Sequence, residues 1–295
     1  MVGCVVLNWN RWQDTLTCLQ TLAAQTYTDL WVLVVDNGST DDSIPRIEAF
    51  VAEQTGPVRF TFVPNGANVG FARGSNVGVR LALEARCEFV WLLNNDVECP
   101  PDTLEKLVRT AQARPDTGMV GTVLLYHHDP SQVQAWSGGR ISRWTGTSSH
   151  YLAPAPQVRD SYVTFASALI RAEVLKEIGL LYEGAFMYYE DADFGVRMQK
   201  TRWRIAVAED TAVLHKEGAS TEGTRNPRME QAIAVAGLKF LRRHSPFPPL
   251  SLPLFMGIKI ANRVRKGEWA ALSAVLRGAK EFYQDSRRPL PDSAR

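Results

Sequence analysis

Phe89-Val90-Trp91-Leu92-Leu93-Asn94-Asn95-Asp96 decides the fold class of this chain. An unbroken apolar run of this length reads as a strand buried on both faces. A polar cluster closing such a strand points into the crevice beyond the sheet edge, where α/β proteins hold ligands. The same pattern recurs upstream. Val2-Gly3-Cys4-Val5-Val6-Leu7 is followed by Asn8, and Leu30 to Val35 by Asp36-Asn37-Gly38-Ser39-Thr40-Asp41-Asp42-Ser43, while Val58 to Val63 alternates as a third strand. Helical periodicity fills the gaps. Asn10 can cap a helix with Leu16, Leu19, Leu22 and Ala23 on one face. A second runs through Ile44, Ile47 and Val51, and a third over Arg73 to Arg86 with Val77, Leu81 and Ala85. Strands and helices in alternation predict an α/β fold, its sheet mostly parallel and flanked by helices, with the polar clusters gathered on one edge.

Further along, Asp102 to Ala113 reads as a helix with Leu104, Leu107, Val108 and Ala111 inward, and Met119 to Leu125 as a strand. Tyr126 to Tyr162 is rich in Gly, Ser, His and Trp and reads as a long irregular insert, more often a binding surface than a structural one. A short helix over Val174 to Leu180 precedes a second acidic cluster, Glu190-Asp191-Ala192-Asp193, which opens a helix over Asp193 to Thr201. Ile205 to Val207 and Thr211 to His215 read as two short strands. Residues 227–243 and 266–284 read as helices separated by a Pro-rich apolar link.

The net charge of +2 hides an asymmetry. From Arg242 to the end there are 11 Lys+Arg against 4 Asp+Glu, and elsewhere 22 against 27. A basic tail of this kind is compatible with an anionic surface, a dimer interface or an intramolecular helix pack. Cys4, Cys18, Cys87 and Cys99 show no CxxC spacing and read as reduced thiols of a cytoplasmic protein. No secretory signal is visible, and the apolar stretch Phe247 to Ala261 is too short and too broken by proline to span a bilayer. No nucleic-acid partner is expected.

Two acidic clusters suggest a division of chemistry. One carboxylate at a strand end can hold a hard cation and, through it, a phosphate; a second group can supply a general base. Each motif also has a plain structural reading: Asp36-Asn37-Gly38 as a turn, three acids at a helix start as dipole partners, His215 as a core histidine. His127-His128 have no partner spacing. Trp136-Ser137-Gly138-Gly139-Arg140 and Trp144 suit either an acceptor-gripping surface or packing anchors.

In combination the motifs carry a family likeness. Val5-Val6-Leu7-Asn8-Trp9-Asn10, Val34 to Asp41, Asn68-Val69-Gly70-Phe71-Ala72-Arg73-Gly74-Ser75-Asn76, Leu92 to Asp96, and Tyr189 to Phe194 with Arg197 and Val213-Leu214-His215, in that order, resemble inverting family 2 glycosyltransferases of the GT-A fold, and within them the bacterial rhamnosyltransferase-like branch. The likeness covers roughly residues 2 to 226. It implies a Rossmann-like GT-A domain over residues 1–226, its nucleotide-binding half 1–100 and its acceptor and catalytic half 101–226, with a basic helical C-terminal extension over 227–295. It implies transfer of a sugar, rhamnose favoured, from a nucleoside-diphosphate donor (dTDP-rhamnose first, UDP-sugar second) to a saccharide or lipid-linked acceptor.

Site residues follow from the same likeness. Asp191 is the expected general base, with Glu190 and Asp193 orienting it or capping the helix of Arg197. Asp96 and His215 are the expected ligands of Mg²⁺ or Mn²⁺. Asn8, Asp36, Asn68, Gly70, Arg73, Asn94 and Asn95 are the expected nucleotide-binding set, Asp36 as acceptor for a nucleobase imide. Beyond the likeness, the tail pairs Leu238, Phe240 and Leu241 with Arg242-Arg243 and then Arg263, Arg265 and Lys266, a pattern that fits peripheral contact with the inner face of the membrane and equally an intramolecular helix pack or a dimer interface. Departures are Asn94 in place of the first Asp of Asp-x-Asp, Thr201-Arg202 before Trp203, and Phe165-Ala166-Ser167-Ala168 on the acceptor side. A nucleotidyltransferase is the competing enzyme reading, disfavoured by the glycine-free Asn8-Trp9-Asn10-Arg11. The competing non-enzyme reading is an inactive nucleotide-sugar-binding protein.

Overall fold

The computed structural model describes residues 1–155, 158–216 and 226–285. Its first half follows the alternation in the sequence: β1 (Val2–Asn8), α1 (Trp12–Ala23), β2 (Leu30–Asp36), α2 (Ser43–Glu53), β3 (Arg59–Pro64), α3 (Phe71–Glu84) and β4 (Phe89–Asn94). These four strands are mutually parallel in the order β3-β2-β1-β4. Their apolar runs are continuous because each strand is covered twice. Val2, Cys4, Val6, Phe89, Trp91 and Leu93 enter one core beneath α1, α2 and α4 (Thr103–Gln112). Val5, Val90 and Leu92 alternate into the other, beneath α3. Trp91 is fully buried, its indole N–H donating to Ser167 Oγ at 3.1 Å. Truncating it to Ala would cost about 3–5 kcal/mol.

Beyond β4 come β5 (Val97–Glu98), α4 and β6 (Thr117–Tyr126), then β11 (Ser167–Arg171), α5 (Ala172–Ile178), α6 (Glu190–Met198) and β12 (Arg204–His215). The sheet continues β4-β11-β6-β12-β5, with β11 antiparallel to both β4 and β6 while β6 and β12 are parallel. Ile205 to His215 is therefore one strand, interrupted by an irregularity between Ala208 and Ala212, and not two short ones.

Three other sequence expectations are corrected. Asn10 does not cap α1: it and Arg11 both have φ 58°, and the Asn10 side chain accepts from the Thr40 N–H at 2.8 Å instead. The insert after Tyr126 is not irregular. It forms β7 (Asp129–Trp136) on the edge of β6, and a separate three-stranded sheet of β8 (Gly138–Ile141), β9 (Ser148–His150) and β10 (Ser161–Val163). Gly138 and Gly139 lie so close to the Tyr162 and Ser149 carbonyls that no Cβ fits, which is why the segment lacks a strand-like apolar pattern. The Pro-rich link is a helix, α8 (Pro248–Arg265), between α7 (Pro227–His244) and α9 (Trp269–Asp285). Pro248 and Pro249 stand in its first turn, where a missing N–H costs nothing, and Pro253 is on its exposed side.

A third core cluster joins α6, β8 and β10 to the C-terminal helices through Tyr162, Val196, Leu238, Phe240, Leu241 and Phe255. Leu238, Phe240 and Leu241 are thus interior, in keeping with the helix-pack reading of the tail. All four cysteines are free and buried. Among the described residues no helix is long and apolar enough to cross a membrane.

Candidate active site

Strand register brings the polar clusters to one edge, as the sequence predicts. Asn8 lies opposite Asp36, and Leu7 opposite Asn94. His215, at the end of β12, lies opposite Val97, directly after Asp96. Two sub-sites result, built on different physical lines.

The first is a fully bonded lattice. Asp36 is buried, and its carboxylate accepts from the Gly38 and Ser39 N–H groups, from Asn8 Nδ2 at 2.8 Å and from the Ser39 hydroxyl at 2.5 Å. These donors fill the carboxylate's four acceptor positions. Asn8 is itself buried; its remaining oxygen accepts from Thr15 Oγ1 at 2.6 Å, and Thr15 in turn accepts from Asn95 Nδ2 at 2.8 Å. Asn8 and Asn95, expected to touch nucleotide, are therefore turned inward and hold Asp36 and α1 in place. Asn37 was missed by sequence reasoning. It is buried, and it ties the β2 end to the turn before α3 by donating to Asn68 Oδ1 and accepting from Asn65 Nδ2 and the Val69 N–H. Only its place in a turn-like Asp-Asn-Gly run could have singled it out. Gly70 has φ 91°, and a Cβ there would run into the Phe186 carbonyl. The close backbone approach expected of this glycine is real, but its partner is Phe186, whose oxygen also accepts from the Phe71 N–H at 2.8 Å. Arg73 is largely exposed and faces Glu183 at 3.5 Å.

At the neighbouring strand ends, His215 Nε2 lies 3.2 Å from Asp96 Oδ1. The other ring nitrogen, Nδ1, is 2.7 Å from Gln134 Oε1, an acceptor only, so Nδ1 donates there and the neutral ring would present its Nε2 lone pair to Asp96. Asn94 Nδ2 lies 3.4 Å from the same Nε2. A ring nitrogen and a carboxylate oxygen this close are bridged either by a proton or by a cation. Two adjacent ligands about 2.1 Å from an octahedral ion stand about 3 Å apart, so the pair fits Mg²⁺ or Mn²⁺. Among the described residues no third His, Cys, Asp or Glu joins them, so further ligands would have to come from a bound phosphate or water. Gln134 carried no sequence signal; it lies on β7, within the stretch read as irregular.

The second sub-site is the first turn of α6. Tyr188 and Tyr189 precede it, both in the left-handed region at φ 77° and 68°, an arrangement that costs energy for non-glycine residues and concentrates at functional sites. No side chain caps the helix. Asp191 is half-buried, and the Ala192 N–H donates to its Oδ1 at 2.7 Å. Burial raises its carboxyl to about 6. Its charge reaches the hydroxyls of Tyr162 and Tyr189, which burial first and then Asp191 push upward. Glu190 is buried, with Oε1 unpartnered among the described residues. Burial, reinforced by the Asp191 charge, lifts it to about 8. Asp193 behaves oppositely. Burial alone would raise it, but a 2.6 Å contact with His244 Nε2, with Arg197 at 2.7 Å and Arg243 at 3.1 Å, holds it at about 2. Neither Glu190 nor Asp193 hydrogen-bonds to Asp191, so the expectation that they orient it is corrected: Asp193 instead fastens α6 to the last turn of α7.

Comparison with known proteins agrees with this architecture. Residues 4–179 match the model of Glycosyl transferase family 2. The chain is 27% identical over 239 residues to the O-antigen biosynthesis protein RfbC of Myxococcus xanthus, spanning 76% of this chain but only 18% of that protein. It is 26% identical over 226 residues to the N-acetylglucosaminyl-diphospho-decaprenol L-rhamnosyltransferase of Mycobacterium tuberculosis, spanning 69% of this chain and 72% of that one. Among solved structures, the Pyrobaculum calidifontis mannosyltransferase PcManGT, in complex with GDP-Man and Mn2+, superposes with TM-score 0.60 at 20% identity over 99% of this chain and 77% of that one. S. aureus TarS in complex with UDP-GlcNAc gives TM-score 0.60 at 15% identity over 96% of this chain and 80% of that one. A GT-A sheet whose strand ends carry these clusters, matched over more than half its length by a single family model, leaves one assignment: the chain belongs to glycosyl transferase family 2.

Proposed function

We propose that this protein is an inverting glycosyltransferase that moves a hexose, rhamnose in the first instance, from a nucleoside-diphosphate donor to a hydroxyl of a saccharide or lipid-linked acceptor in cell-surface glycan synthesis. The observation that carries the reading is the Asp191 carboxyl: half-buried, met by backbone N–H groups and no side-chain donor among the described residues, and raised to about 6, where a general base working near neutral pH is most effective. Asp191 Oδ2 takes the proton of the acceptor hydroxyl. The acceptor oxygen forms its bond to the anomeric carbon on the face opposite the diphosphate. The bond from that carbon to the diphosphate oxygen breaks, its electron pair leaving with the nucleotide, and one base suffices because a single displacement inverts the centre.

Asp96 and His215 would hold Mg²⁺ or Mn²⁺, with Gln134 fixing the imidazole. Such an ion offsets charge on the departing diphosphate. Asp36 is assigned to the nucleobase, whose imide N–H would have to displace the Ser39 hydroxyl. Asn68, Arg73 and Asn94 are assigned to the ribose-diphosphate. Rhamnose as the sugar is supported by the mycobacterial relative, an L-rhamnosyltransferase; dTDP-rhamnose is the first donor assigned and a UDP-sugar the second.

The test is release of nucleoside diphosphate from dTDP-rhamnose, UDP-sugars and GDP-sugars with Mn²⁺, with EDTA, and in Asp191→Asn. Release from dTDP-rhamnose that EDTA and the substitution both abolish is the expected result. Turnover surviving in Asp191→Asn would remove the base, and turnover surviving EDTA would remove the metal. Donor binding without release from any sugar nucleotide would leave a binding protein.

A further inference from the structure

Seven of the twelve large apolar side chains that stand exposed among the described residues lie between Phe247 and Tyr283, in the C-terminal helices. The helix α8 is the extreme case, with only Ser251 and Phe255 buried. Among its exposed positions, Leu250, Leu254, Gly257, Ala261 and Val264 keep the three- and four-residue spacing of one helical face, with Phe247 at the head of the row, while Pro249, Pro253 and Asn262 are exposed beside it. Leu250 to Val264 spans about 20 Å of helix axis. From Phe247 to Gly267 there is no Asp or Glu. Lys259 and Arg263 turn inward, toward the Phe255 ring and toward Glu230 and Glu268, while Arg265 and Lys266 close the outward face with exposed charge.

The head of the row abuts a second feature. Pro246, next to Phe247, lines one of two adjoining clefts of about 630 Å³ each, which share Arg143, Arg159 and Asp160. Asp160 is the one acid in either lining and is taken by Arg143 at 2.8 Å. Arg140, Arg159 and Lys200 have no acidic partner among the described residues, and Trp144 stands 46% exposed at the rim. An apolar helical stripe ending in cations at one end, and reaching an unneutralised cationic cleft with an aromatic rim at the other, has the makeup of an interfacial helix.

We propose that α8 and the adjoining cationic cleft form a docking surface for an anionic phospholipid bilayer, the Leu250–Val264 stripe entering the headgroup boundary and Arg140, Arg159 and Lys200 engaging lipid phosphates. The helix lies in the surface and does not cross it, in keeping with its length and composition. The test reads vesicle binding and not sugar transfer, so its result stands whatever the sugar-nucleotide assay returns.

The experiment is sedimentation of the full chain with vesicles of phosphatidylglycerol and phosphatidylcholine, and with phosphatidylcholine alone. The unaltered chain should sediment with the anionic vesicles. Leu250→Glu with Leu254→Glu should weaken that binding at least about tenfold, because both changes place charge in the boundary layer. Arg140→Glu with Arg159→Glu should remove the preference for phosphatidylglycerol, and added salt should do the same to the unaltered chain. Far-ultraviolet circular dichroism and the thermal midpoint report whether each variant is folded. Failure of the unaltered chain to bind, or binding untouched by the Leu substitutions, would overturn the proposal. So would a homodimer in analytical ultracentrifugation that the Leu substitutions dissociate, since the stripe would then face a second copy.

Discussion

The strand-end lattice and the first turn of α6 are both acidic and both buried, yet they treat their carboxylates in opposite ways. Asp36 is met by every donor it can accept, and even the amides around it are committed, Asn8 to Asp36 and Thr15, Asn37 to Asn65, Asn68 and Val69. In α6, Asp191 is met by backbone N–H groups and no side-chain donor among the described residues, and Glu190 leaves an oxygen unpartnered, while Asp193, two residues on, is surrounded by Arg197, Arg243 and His244. Saturation fixes a shape. Deprivation raises a proton affinity, and a proton affinity near neutrality is what acid–base chemistry requires.

The largest way to break this contrast is Asp191→Asn. Turnover should fall by about 10²–10⁴-fold, measured as nucleoside diphosphate release, while the thermal midpoint at neutral pH stays level or rises. The sign follows from linkage. With its native value raised to about 6, Asp191 makes stability fall as pH climbs from the unfolded carboxyl range to about 6, and the cost is complete above that. Asparagine removes it. In the unaltered protein the rate should fall on acidification below about 6, as Asp191 takes up its proton. A midpoint that dropped together with activity would mean that Asp191 holds structure.

Asp193→Asn should do the reverse, lowering stability by about 3 kcal/mol because Arg197 and Arg243 lose their buried counter-charge and His244 its carboxylate partner. In the unaltered protein that contribution is present above the ordinary Asp range and disappears as pH falls through about 2. Chemical denaturation would detect it, and an unchanged midpoint would remove the α6–α7 fastening. Gln134→Ala should weaken Mn²⁺ binding about 10–100-fold by freeing the His215 ring, read as a reduced Mn²⁺-dependent thermal shift; an unchanged shift would deny the tautomer assignment. The smallest effect belongs to Glu190→Gln. Since Glu190 carries its proton up to about 8, the variant should leave turnover at neutral pH nearly unaltered and keep stability between the usual Glu range and about 8 that the unaltered protein loses. A large rate loss at neutral pH would show that Glu190 works as an anion.

Much of the β1 to β4 half was legible because each buried strand wrote an apolar run and the runs ended in polar residues. Asp96 beside His215 followed from motif order alone. What stayed hidden has specific causes. The strands β7 to β10 are short, polar or glycine-bearing, so they lack the period that marks a strand. Prolines masked α8, although two of them occupy the turn that tolerates proline best. The contacts of Asp193 with His244 and of His215 with Gln134 join residues 51 and 81 apart in sequence, where no local period can report a pairing.

Gly70 gives the comparison a measure. The turn that begins α3 and the loop that leads into α6 meet at this glycine, backbone against backbone, through the Phe186 carbonyl. Any side chain would act as a shim, lifting the loop that leads to Asp191 away from the strand-end edge by the thickness of whatever was added. The working tolerance between the two halves of the enzyme is thus set by the absence of one carbon atom, and a methyl group there would test it as a machinist tests a gap.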